Sequence, residues 1–135
     1  MANGANIVIF SSGVSEKSGI LSLIREKLEQ RGHRCAIWRD LFANARDPGN
    51  IALLPMLLKK IPTFDFAVLI CEGQDDTEMH RGDEDRHYKT MRDNVLFEIG
   101  LCCMALGLSR VILLTDHDVR LPEDLTGVEI GRAHV

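Results

Sequence analysis

Aromatic residues are scarce: the chain has one Trp, one Tyr and five Phe. No run of interleaved basic and aromatic residues suggests a nucleic-acid-binding surface. The net charge of −4 gives no bulk attraction to nucleic acid or to an anionic membrane. No apolar run approaches the roughly 20 residues of a membrane-spanning helix. The N-terminus, MANGANIVIF, lacks a basic n-region and a clear cleavage site, which argues against a signal peptide. There is no CxxC spacing, so a zinc site is not expected. The four cysteines, Cys35, Cys71, Cys102 and Cys103, fall in apolar segments and read as reduced core residues of a cytoplasmic protein.

Several chemistries lack their anchors. No GxGxxG follows the first apolar run and there is no GxxxxGK[ST], which excludes Rossmann dinucleotide binding and P-loop hydrolysis. No GxSxG elbow occurs. A phospho-receiver needs acids after its first strand and an acceptor Asp after its third. This chain has Ser-Ser-Gly and Cys71-Glu72-Gly73 there.

What is present is an alternation of short apolar runs and helical periods in a chain of 135 residues, enough for one domain with a core. NIVIF (6–10) predicts a first strand that stops at a turn signal, SSG. Ile20, Leu21, Ile24 and Leu28 predict a helix over 14–30, with Gly32 as its C′ residue. RCAIW (34–38) predicts a second strand, and a polar loop covers 39–50. A second helix is expected over 50–60, capped by Asn50 and kinked or shortened by Pro55. FDFAVLIC (64–71) is apolar almost throughout, as in a strand covered on both faces. The charged segment 72–90 reads as a long loop. Its His80 and His87, set among acids, read as solvated rather than as a metal site. A third helix over 93–107, a strand over 110–116 and a short strand at 128–130 follow. The order predicts an α/β fold, an open parallel sheet of four to five strands with helices on both faces. The end of the chain soon after the last strand suggests that one sheet face is under-covered or that a partner domain follows. Ligands in such sheets bind beyond the carboxyl ends of the strands.

One feature of the third helix stands out. Glu98 lies inside the apolar run VLFEIGLCC, sharing a face with Asn94, Val95, Leu101 and Cys102. A carboxylate one turn into a helix gains from the positive helix N-terminus and loses hydration, a balance suited to holding it ionised beside a substrate cation. From periodicity alone, a loop cap or an ion pair with Arg92, Arg81 or Arg86 is the commoner use of such a residue.

RDNVLFEIGL (92–101), LGLSRVILL (106–114) and LPEDLTGV (121–128) together resemble the TIR-like domains of bacterial anti-phage effectors found with cyclic-nucleotide sensors in CBASS and Pycsar defence. The family pattern DFAV, RG, RxNVxFExG, LGxxR, LPxDLxG is met in order by Asp65-Phe66-Ala67-Val68, Arg81-Gly82 and the three later segments. The resemblance covers about residues 6–130. Arg46-Asp47-Pro48-Gly49 resembles a compressed form of the TIR RDxxPG loop, and is also a good turn sequence. The resemblance implies a flavodoxin-like TIR fold, a single domain over 1–135, and a role as the effector module of a larger protein or complex. It implies NAD⁺ glycohydrolase activity, with NAD⁺ as substrate and no cofactor or metal, and Glu98 as the catalytic residue.

The departing nicotinamide is already cationic, so no acid is needed to protonate it, and one carboxylate suffices to stabilise or trap the ribosyl cation. Ser11, Ser12 and Gly13 after the first strand are candidate donors to ribose or phosphate, against a plain turn. Trp38 is a candidate for stacking on a base, against a core or subunit contact. Arg81 is a candidate phosphate contact, against solvation, and Asn94 shares the Glu98 face. Homo-oligomerisation on activation and a fused or associated cyclic-nucleotide sensor are the implied partners. Two rival readings remain open: a non-enzymatic TIR interaction module, and a nucleoside deoxyribosyltransferase-like enzyme, which also uses a Glu on a similar sheet.

Overall fold

The computed structural model describes residues 4–11, 19–42, 53–71, 75–81, 84–90, 93–115, 119–120 and 129–132. Of residues 42, 53, 75–81, 84–90, 93–94, 119–120, 129 and 132 only the backbone is described. The elements are β1 (Asn6–Phe10), α1 (Ile20–Gln30), β2 (Arg34–Ile37), α2 (Leu53–Lys60), β3 (Phe66–Cys71), β4 (Asp75–Arg81), β5 (Glu84–Thr90), α3 (Asp93–Leu106), β6 (Val111–Thr115), β7 (Val119–Arg120) and β8 (Glu129–Arg132). Short 3-10 turns span Trp38–Phe42, Ile61–Thr63 and Leu108–Arg110.

Five strands form one sheet in the order β2-β1-β3-β6-β8, every neighbour parallel. This is the flavodoxin-like α/β arrangement, whose order reverses between β1 and β3. Burial explains why the central runs are apolar without alternation. Val8, Phe10, Ala67, Leu69, Cys71, Val111 and Leu113 pack on one sheet face with Leu57 and Ile61, from α2 and the turn after it, and Ile99 and Cys102 of α3. Ile7, Ile9, Val68, Ile70 and Ile37 pack on the other with Leu21 of α1. Helices therefore cover both faces. On the α1 face, Ile112 and Leu114 of β6 are only half-buried, while Val111 and Leu113 on the α2–α3 face are fully buried.

The described helix runs from Ile20, after Gly19 with φ of 81°, outside the helical region; residues 14–18 of the expected helix lie outside the described residues. It ends in a Schellman motif: Gly32 (φ 91°) donates to Glu29 O and His33 to Leu28 O. The described part of the second helix is Leu53–Lys60, with Pro55 as its third residue. Asn50 lies outside the described residues. The strand expected over 34–38 stops at Ile37, and Trp38 opens the following turn.

The loop expected over 72–90 is instead an antiparallel hairpin, β4–β5, joined in parallel by β7 in a second, three-stranded sheet. Its register sets Asp76 opposite Lys89, Glu78 opposite His87, His80 opposite Asp85 and Arg81 opposite Glu84. Opposite charges at directly facing positions favour pairing.

Candidate functional site

The carboxyl ends of β1, β3 and β6 meet where α3 begins. Ser11, half-buried, follows β1. Cys71 ends β3 and is aligned with Thr115, the last residue of β6. Both are almost fully buried. Glu98 is the sixth residue of α3 and is half-buried. Its carboxylate lies within electrostatic reach of Cys71 on the sheet and of Cys102 one turn further along the helix. Burial, and after it the Glu98 charge, pushes both thiols up to about 12, so they are neutral walls of the site.

Loss of hydration raises the Glu98 pKa from 4.5 to about 7. The expectation that helix start and burial would leave it firmly ionised is corrected here. The helix-dipole benefit fades within the first turn, and Glu98 lies beyond it, so desolvation wins. Among the described residues no ion pair or hydrogen bond involves its carboxyl group; the one described ion pair is Arg25–Glu29, on α1. The side chains of Arg81, Arg86 and Arg92, the alternative partners, lie outside the described residues.

Trp38 sits at the carboxyl end of β2. Its ring stacks on Phe10 with centroids 5.2 Å apart and planes at 28°, and packs against the core cluster that holds Ile99 and Cys102. The indole thus has a packing role in the wall beside the site. Asn94 is the second residue of α3 and precedes Glu98 by one turn; Arg81 ends β4 at the turn of the hairpin. Their side chains are outside the described residues, as are Ser12, Gly13 and the Arg46–Gly49 turn. Cys71 and Thr115 were not singled out from the sequence as site residues. Their signal was position: each is the last residue of an apolar strand, and in a parallel sheet that is the ligand edge.

A weakly solvated carboxylate, walled by neutral thiols and free of a described cation, can accept a positive charge or a proton. It has no second described carboxylate to act as a paired acid. No group of three or more metal-ligating side chains is found among the described residues. No helix among them is long and apolar enough to cross a membrane.

The strand order defines a flavodoxin-like α/β domain, with one desolvated acid, Glu98, among the described residues of α3. A family profile described as "CAP12/Pycsar effector protein, TIR domain" matches residues 6–134, and the chain belongs to that family. It is 33% identical over 122 residues to CD-NTase-associated protein 12 of Flavobacterium daejeonense, covering 90% of this chain and 36% of the relative. It is 34% identical over 125 residues to the protein of the same name from Niabella drilacis, covering 92% of this chain and 38% of the relative. Pycsar effector protein XpPycTIR of Xanthomonas perforans is 44% identical over 66 residues, covering 47% of this chain and 20% of that protein. The chain thus spans little more than a third of the length of these CD-NTase-associated relatives.

Proposed function

We propose that this domain is an NAD⁺ glycohydrolase that cleaves the nicotinamide–ribose bond, and that it serves in the cytoplasm as the effector of a cyclic-nucleotide-triggered anti-phage system. The observation that carries the reading is Glu98: one half-buried carboxylate at the ligand edge, raised to about 7 by burial, with no described cation beside it. The names of the relatives, CD-NTase-associated and Pycsar effector, support the link to nucleotide signalling.

Nicotinamide leaves with the bonding electron pair and becomes neutral, while positive charge builds on the ribose. The Glu98 carboxylate stabilises that charge. Water then adds to the anomeric carbon and its proton passes to Glu98, giving ADP-ribose and nicotinamide. The pyridinium of bound NAD⁺ favours ionised Glu98, because an opposite charge nearby lowers a carboxyl pKa. The apolar thiol walls keep the local dielectric low and strengthen the interaction. Homo-oligomerisation and a fused or associated cyclic-nucleotide sensor are the proposed means of activation. Ser11, Ser12, Gly13, Asn94 and Arg81 are the proposed substrate contacts, and Trp38 the proposed stacking surface.

The test is incubation of the protein with NAD⁺ and, separately, with a deoxynucleoside and a free base, followed by chromatography. Release of nicotinamide and ADP-ribose supports the hydrolase. Exchange of the deoxynucleoside base points to a transferase, and no turnover of either, also at high protein concentration, points to an interaction module.

A further inference from the structure

Two sulfurs face Glu98 where α3 lies against the end of β3. Cys102 follows Glu98 by four residues on α3. Residues four apart share a helix face, and helical side chains lean towards the N-terminus, so Cys102 reaches back towards the Glu98 carboxyl group. Cys71 ends β3, the strand on which α3 packs, and shares one buried cluster with Cys102 and Ile99. The Glu98 charge acts on both thiols. No such effect is found at Cys103, one position further on, where burial is the cause of the raised pKa.

Neither thiol gives its proton to the carboxyl group. The Cys71 thiol donates instead to the Leu69 carbonyl oxygen, 3.5 Å away. The Cys102 thiol takes part in no hydrogen bond among the described residues. The other described titratable side chains on α3 and on the elements packed against it are Cys103, Lys59 and Lys60 on α2, and Arg110 in the turn after α3. None of them is in a described ion pair with Glu98. Serine has nearly the shape of cysteine, but its hydroxyl is a strong donor where a thiol is a weak one. A hydroxyl at either place would bond the ionised carboxylate and favour its charged form.

We propose that Cys71 and Cys102 are positioning residues of the Glu98 site, two non-donating side chains that deny the carboxylate a hydrogen bond from the sheet and from the next helical turn, so that its charge is answered by the substrate cation. The proposal rests on the hydrolase reading for the identity of that cation, whereas the relation of thiols to carboxyl group is read without substrate. A carboxylate that already holds a donor is a weaker base and stabilises a developing ribosyl cation less.

The test is a carbon-13 NMR titration of the glutamate carboxyl groups in the substrate-free protein, with the Glu98 signal assigned by its loss in Glu98→Gln. The wild-type midpoint is about 7. Cys102→Ser and Cys71→Ser each lower it by about one pH unit or more, the size of a hydrogen bond to a charged group. Cys102→Ala supplies no donor and Cys103→Ser places its hydroxyl away from the carboxyl group, so both leave the midpoint within about 0.3 unit. Circular dichroism checks each fold, and the two sites lie on different elements, so one folded serine variant suffices. In NAD⁺ cleavage the kcat/KM profile of the serine variants moves to lower pH with the titration, and kcat at pH 8 falls about threefold or more. Two results overturn the proposal: a midpoint that neither serine substitution moves, or one that Cys102→Ala or Cys103→Ser lowers as far as Cys102→Ser does. Absence of NAD⁺ turnover in every protein, with the titration shifting as expected, overturns the hydrolase reading and upholds the thiol pair.

Discussion

Replacing Glu98 by Gln should make the protein more stable above neutral pH. Burial lifts the Glu98 pKa from 4.5 to about 7. The native state therefore binds a proton more tightly than the unfolded chain does. Between these two values the native protein holds more protons than the unfolded one, so stability falls as pH rises through the window. Below about 4.5 both states are protonated and the penalty vanishes; above about 7 it is complete. At 1.36 kcal/mol per tenfold change in acidity, the lift corresponds to roughly 3 kcal/mol. Partial exposure of the side chain screens it, which leaves about 2 kcal/mol. Gln keeps the shape and removes the charge. Urea unfolding, followed by the fluorescence of the single tryptophan, Trp38, should give equal midpoints for both proteins near pH 4.5. At pH 8 the Gln variant should be about 2 kcal/mol more stable, with an unchanged denaturant slope. A variant equally or less stable at pH 8 would mean that a cation or donor already holds the carboxylate, and the desolvation argument would be refuted.

The same ionisation should shape catalysis. The pH profile of kcat/KM for NAD⁺ cleavage should rise towards an ionisation near 7, that of Glu98 in the free protein, while the kcat profile turns at lower pH because the bound pyridinium favours the ionised form. Coincident profiles would contradict the cation–carboxylate contact. Gly32→Ala should cost about 1–2 kcal/mol, since φ of 91° strains any residue with a Cβ. The cost should appear in the urea midpoint with kcat unaltered, because Gly32 precedes β2 at the sheet edge away from Glu98.

The parallel sheet was legible because strands covered on both faces need apolar residues at every position, as Phe66–Cys71 has. The hairpin was not. DDTEMHR and EDRHYKT carry charge on both faces, so neither shows a period of two in hydrophobicity, and the pattern appears only across strands, as Asp76 against Lys89 and Arg81 against Glu84. The break at Gly19 was not legible, because glycine is compatible with a helix by sequence and here departs from one by its φ of 81°. Glu98 was conspicuous as a charge in an apolar run. Its protonation was not legible, because the outcome depends on its lying past the first turn and on the burial supplied by Cys71, 27 positions earlier. The apolar outer side of α3 was visible as composition; exposure of Phe97 and Met104 was needed to separate it from the core.

The central claim is that one carboxylate carries the chemistry. Nicotinamide release from NAD⁺ by wild type and by Glu98→Gln, each at saturating protein concentration and pH 8, tests it most directly. The account predicts a loss of kcat/KM of at least about a hundredfold, the contribution of a positioned acid–base or electrostatic group, in a variant whose unfolding midpoint is equal or higher. Release within about threefold of wild type, with the variant folded, would contradict it.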